Sequence, residues 1–220
     1  MRNRQDHPAE PPIFDMTFRE ELRDLFRWRR DVRHFKSAQL PEGLVEQLIE
    51  IACLAPSVGL SQPWHFVLVD DMARRAGIQA SFEVCNAQAL AGYEGDRAAL
   101  YAQLKLAGLV EAPTHIAVFA DRDTEQGHAL GRRTMPETVD YSAVMAIHTL
   151  WLAARAEGIG LGWVSILDPE QINVLLDVPD SWGFIGYLCL GYPEQETGIP
   201  ELERTGWEHR RTASTAILRR

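Results

Sequence analysis

Apolar positions recur along this chain with two periods, and their alternation lays out a series of helices and short strands. Phe18, Leu22, Leu25 and Phe26 share one helical face behind Thr17 and Glu20, which have the spacing of a capping box. That helix is predicted to run into Trp28 and to deliver Arg29, Arg30 and Asp31 at its C-terminal end. A second helix is predicted from Pro41, burying Leu44, Val45, Leu48 and Ile51 and stopping before Pro56. Residues 64–69 and 115–121 are short apolar runs and read as buried strands. Between them, residues 72–109 are helical in composition but broken at 92–95, the pattern of two helices with a movable connection.

The longest helical signal covers residues 139–157, with Val144, Ile147, Trp151 and Ala154 on one stripe and Gly158 as the stop. A strand over 160–166 follows. Asp168, Pro169 and Gln171 then open another helix, with Asp168 as cap and Gln171 placed to reach back. Residues 183–191 read as the last core strand, and 193–220 as an irregular tail. No repeat or clean linker divides the chain. The pattern predicts one α+β domain, helices packed on a mostly buried sheet, with residues 1–16 as a flexible N-terminal segment, 17–192 as the body and 193–220 as a C-terminal arm.

Composition narrows the function classes. The 220 residues are 46% hydrophobic and 24% charged, ordinary values for a folded globular protein. A net charge of −9 argues against a nucleic-acid surface, and it requires any anion site to be built locally from clustered arginines. No run approaches the roughly 20 apolar residues of a membrane span, and residues 1–12 lack the apolar segment of a secretory signal, so a cytoplasmic location is expected. Cys53, Cys85 and Cys189 are odd in number and widely spaced, which predicts buried free thiols. The histidines show no ligand spacing, so no metal site is expected.

Three segments carry candidate chemistry. R-R-D-V-R at 29–33 sets three guanidinium groups at a helix-to-loop transition, where they can grip a phosphate or form a solvated charged turn. Asp31 is the oddity, because a carboxylate weakens an anion site and so needs another task or a buried partner. The loop A-P-S-V-G-L-S-Q-P-W at 55–64 fixes irregular backbone ahead of a strand, either as a binding loop or as an ordinary connection. E-G-I-G-L-G-W-V-S at 157–165 alternates glycines, which admit another backbone or a flat ring, or simply a tightly packed strand. Its spacing is not a dinucleotide fingerprint, and no G-x-S-x-G hydrolase elbow is present.

Taken in this order, the three segments resemble the FMN-dependent nitroreductase superfamily over roughly residues 18–210. Within it, R-R-D-V-R, A-P-S-V-G, L-W-L-A-A-R-A-E-G at 150–158, G-W-V-S at 162–165 and Gly131-Arg132 ahead of Pro136 are similar to the branch that makes dimethylbenzimidazole for cobalamin. Ordinary nitroreductases usually carry serine where Asp31 stands. The resemblance implies a mixed central sheet flanked by helices, in an intertwined homodimer with two flavin sites at the interface and the C-terminal arm crossing to the partner. It implies that Arg29, Arg30, Arg33 and Arg210 bind the flavin phosphate and ribityl chain, with Arg211 as rival to Arg210. It places Pro56, Ser57 and Gly59 along the ring, and the backbone of Gly162, Trp163 and Val164 at its N5 edge. Asp31 and Ser165 correspond to the catalytic pair, and residues 92–105 to a lid.

The activity implied is oxygen-dependent fragmentation of reduced FMN, as substrate, to 5,6-dimethylbenzimidazole and erythrose 4-phosphate. Asp31 would act as base at the first ribityl carbon and Ser165 as hydrogen-bond donor. The chain has no strong nicotinamide-binding signal, so a separate NAD(P)H flavin reductase is expected to supply the reduced flavin. The alternatives are an NAD(P)H-dependent nitroreductase or quinone reductase, a non-enzymatic flavin carrier, and an α+β domain with an incidental charged turn.

Overall fold

A computed structural model of the chain describes residues 11–103 and 107–220. The expectations for residues 1–10, and for Leu104 and Lys105 at the end of the lid, lie outside the described residues. The chain opens on α1 (Met16–Trp28) and α2 (Leu44–Ala52), then passes a 3-10 turn at Val58–Leu60 into β1 (Trp64–Leu68). Helices α3 (Met72–Ala91), α4 (Gly95–Gln103) and the single-turn α5 (Gly108–Glu111) lead to β2 (Thr114–Asp121). α6 (Thr138–Ala156), β3 (Gly160–Val164), α7 (Pro169–Leu176) and β4 (Trp182–Gly191) complete the core. The tail holds α8 (Glu201–Arg204) and a 3-10 turn at Ala213–Ala216.

The sheet order is β1-β2-β4-β3, antiparallel at every pairing. Among the described residues the mixed character expected of it is confined to one parallel bridge, Asp31 to Leu161, which lays the arginine segment along the outer edge of β3. Both faces are covered, which is why β2 reads as a continuous apolar run and not an alternating one. Ile116 and Val118 pack with Leu48 of α2 and with Ile147, Leu150 and Ala154 of α6. Ala117 and Phe119 point the other way, onto Ile78 of α3 and Ile172 and Leu176 of α7.

Several local expectations change in the structure. The first helix is capped by Asp15, whose carboxylate accepts from the Phe18 N–H at 2.9 Å, and Thr17 is already inside the helix. A carboxylate cap also answers the positive end of the helix dipole, which a threonine hydroxyl does not. Asp168 takes the N–H groups of both Glu170 and Gln171, so the Gln171 side chain is not needed to reach back. Of the three thiols only Cys189 is buried, and all three are free. Ile51 and Val144, expected in the core, stand outside it, as do Phe18, Leu22 and Phe26 of α1. Together these leave an apolar face across α1 and α6. No described helix is long and apolar enough to cross a membrane.

One buried polar pair sets a pH limit on the fold. The His115 ring donates from Nε2 to the Ala112 carbonyl at 3.1 Å, so Nδ1 accepts from the Tyr187 hydroxyl at 2.9 Å. Burial, with help from Arg75, pulls its pKa from 6.5 down to about 4. As pH falls below 6.5 the unfolded imidazole takes up a proton that the folded one refuses until about 4. This group therefore contributes nothing to the pH slope above 6.5, and it removes about 3 kcal/mol of stability between 6.5 and 4. Urea unfolding across that window should show the slope, and His115→Gln should lack it; equal slopes in both proteins would refute the assignment.

Candidate functional site

The site is built where α1 runs out. Arg29 is the C-cap of α1, its N–H bonded to the Leu25 carbonyl at 3.0 Å, and the chain then extends along β3. The Val32 N–H donates to the Leu161 carbonyl at 3.0 Å. Glycines 160 and 162 make this approach possible: a Cβ on Gly162 would collide with the Val32 carbonyl oxygen, and one on Gly160 would stand 2.9 Å from a Val32 methyl. The alternating glycines thus receive the backbone of the arginine segment.

Asp31 is fixed by this pairing. Its Oδ1 accepts from the Trp163 N–H at 2.9 Å, and its Oδ2 lies 3.8 Å from Arg33 Nε. Burial lifts its pKa above the ordinary carboxylate range, against the pull of the Trp163 N–H and of Arg33 and Arg29. Arg33 is largely buried, and its Nε has no hydrogen-bond partner among the described residues. A cavity of about 340 Å³ opens here, lined by Trp28, Arg30, Asp31, Arg33, Trp151 and Leu161 among others.

The arginines divide their work. Arg30 donates to the carbonyls of Thr197 (3.2 Å), Gly198 (2.7 Å), Arg29 (2.6 Å) and Arg27, tying α1 to the 197–198 loop. Its charge reaches the cavity while four of its five N–H groups are taken. Arg29 lies over the Trp151 ring at 4.6 Å, and no acceptor among the described residues takes its N–H groups. Arg210 closes the cluster from the tail of the same chain, sharing a second cleft with Arg27, Trp28 and Arg30. Burial comes first in pulling Arg29 and Arg30 below the ordinary arginine range, and repulsion from Arg210 adds to it at both. The tail is held in place by Trp207, which meets Tyr93 edge-on at 5.5 Å and lies under Arg97 at 5.0 Å.

The structure does not bring all the expected residues together in one chain. Gly59 lines a different cleft, formed with residues 127–134. It has φ +58°, and a Cβ there would come within 2.8 Å of the Leu130 carbonyl. Ser57 uses its hydroxyl to accept from the Gln62 N–H at 3.1 Å, and Pro56 is exposed beside it. Neither lines the Asp31 cavity. Ser165 is exposed just past the end of β3, and Val164 is buried in the sheet. The Trp163 N–H is taken by Asp31. Residue patterns place Trp151 on the apolar stripe of α6, and nothing in its spacing marks the contact with Arg29.

Comparison with known proteins identifies the family. Residues 26–192 match the nitroreductase family model. A Rhodospirillum rubrum protein named 5,6-dimethylbenzimidazole synthase is 58% identical over 200 residues, covering 91% of this chain and 95% of that one. A Rhodobacter capsulatus protein of the same name is 47% identical, covering 89% and 94%. Among solved structures, an iodotyrosine deiodinase bound to FMN and 3-iodo-L-tyrosine superposes with a TM-score of 0.68 at 23% identity, covering 80% of this chain and 91% of that one. The chain belongs to the nitroreductase family, and within it is similar to 5,6-dimethylbenzimidazole synthases.

Proposed function

We propose that the chain takes reduced FMN as a substrate and, with dioxygen, fragments it to 5,6-dimethylbenzimidazole and erythrose 4-phosphate. The observation that carries this reading is Asp31: a carboxylate made more basic by burial, set among arginines whose N–H groups are not all used. A phosphate-bearing ligand fits such a cluster, because Arg29 and Arg33 offer donors and Arg30 and Arg210 add charge. The names of the two relatives supply the reaction.

Reduced flavin brings the electrons for oxygen and the ring that becomes the product. The protein's part is to bind, orient and move a proton. Arg29, Arg33 and Arg210 hold the phosphate and ribityl chain, and Asp31 takes the proton from the first ribityl carbon. Trp28, Trp151 and Leu161 give apolar faces to a cavity wall that otherwise carries charged and polar side chains, among them Arg155, Glu194 and Glu196. Ser165 donates a hydrogen bond at the ring.

The separation of the Pro56–Ser57–Gly59 loop from Asp31 points to a site completed by a second copy. The exposed Phe18, Leu22, Phe26, Tyr141 and Met145 of α1 and α6, with Leu60 at 71% and Leu130 at 72% exposure, supply the apolar face such a homodimer needs. A separate NAD(P)H-dependent flavin reductase would deliver the substrate.

Anaerobic addition of reduced FMN, followed by oxygen and chromatography, should yield 5,6-dimethylbenzimidazole and a four-carbon sugar phosphate. Recovery of intact FMN would overturn the reading. Rapid, repeated bleaching of bound flavin by NAD(P)H would assign the chain to the conventional nitroreductases instead.

A further inference from the structure

Carboxylates enough to neutralise a cluster of arginines would cancel the field that attracts an anion, so Asp31 needs help from a contact of another kind to hold this one together. Arg29 is drawn by Asp31 and repelled by Arg210, and burial works against its charge. What stands beneath it is the Trp151 ring, 4.6 Å from the guanidinium carbon. A π face holds a cation by its quadrupole and leaves the charge in place. It also engages the flat face of the guanidinium, so the N–H groups around the edge stay available for a ligand.

The same side chain makes a second contact. Its indole N–H donates to the Arg30 carbonyl at 3.0 Å, the peptide group immediately before Asp31. Trp151 sits one turn from Ile147 and Ala154 and next to Leu150, all fully buried against the sheet, so it is carried on a rigid helix. Its ring lies 6.3 Å from that of Trp163, whose backbone N–H holds the Asp31 carboxylate. Two tryptophans therefore fix the segment from both sides, one through Arg29 and the Arg30 carbonyl, the other through Asp31.

We propose that Trp151 is the positioning residue of the anion site: its ring face retains Arg29 charged with its N–H edges open, and its indole N–H fixes the backbone entering Asp31. This rests on the phosphate-binding reading above, and it adds the residue that makes the cluster competent.

The test compares binding of oxidised FMN with riboflavin, which lacks the phosphate, by quenching of flavin fluorescence. The full chain should prefer FMN. Trp151→Phe keeps a ring but loses the N–H and the stronger π face, and should cut the FMN-to-riboflavin affinity ratio about tenfold. Trp151→Leu, with no ring, should cut it further. Riboflavin affinity should fall much less than FMN affinity in the Phe variant, so the Phe variant decides the matter even if the Leu variant fails to fold. An unchanged ratio, or equal weakening toward both flavins, overturns the positioning role and leaves the phosphate reading standing. A ratio near one in the parent chain overturns the phosphate reading, and the role of Trp151 with it.

Discussion

Asp31→Asn should bind FMN at least as tightly as the parent chain and lose dimethylbenzimidazole formation by a factor on the order of 10²–10⁴. Asparagine keeps the shape, and its Oδ1 can still accept the Trp163 N–H that Asp31 holds at 2.9 Å. What disappears is the negative charge, which opposes an anionic ligand held by Arg29 and Arg33, and the lone pair that takes the proton. Affinity and turnover are therefore expected to part company, a split that a merely structural carboxylate would not give. The acid limb of the rate should also lie above the ordinary carboxylate range, because burial raises the Asp31 pKa and the base works only when ionised. Activity is lost as pH falls through that raised value and is retained above it. Flavin titration alongside product chromatography measures both quantities. Undiminished turnover in the variant would reassign Asp31 to a structural pairing with Arg33.

Much of this arrangement is legible in the sequence, for physical reasons that can be named. The end of α1 at Trp28, the break between α3 and α4, and the helix beginning at Pro169 follow from local chemistry: capping residues, glycines and a first-turn proline act within a few positions. The burial of β2 on both faces was legible in its unbroken apolar run. Contacts between distant segments were not. Nothing in the spacing of R-R-D-V-R shows that Arg30 spends its donors on carbonyls at 197–198, since that depends on where the tail folds back. The α1 stripe reads as a core face by periodicity, yet Phe26 is 47% exposed, because periodicity reports that residues share a face and not what that face packs on. Trp151 was hidden for a related reason. On a helical stripe an indole looks like packing, and its second use appears only when Arg29 arrives over its ring.

Gly162→Ala should be the most damaging of three glycine substitutions that share one stretch of chain. At Gly162 the added methyl meets the Val32 carbonyl oxygen well inside van der Waals contact, and a backbone atom cannot rotate away. Either β3 or the arginine segment must move, and both flanking bonds go with it: Val32 N–H to Leu161 and Trp163 N–H to Asp31. A loss of about 3 kcal/mol or more is expected, together with loss of flavin binding, since Asp31 and Arg33 shift with the segment. At Gly160 the nearest atoms are the Val32 side chain at 2.9–3.1 Å, which can adjust, so about 1–2 kcal/mol is expected. At Gly158 nothing lies within 4 Å, and only the left-handed φ of +73° opposes a side chain. That strain also costs about 1–2 kcal/mol, but it falls away from Asp31 and should leave flavin affinity intact. Urea unfolding and flavin titration of the three variants separate the two kinds of cost. If Gly162→Ala proved no worse than Gly158→Ala in both measurements, the edge pairing of Asp31 and Val32 with β3 could not be what holds the site, and the placement of the carboxylate would need another support.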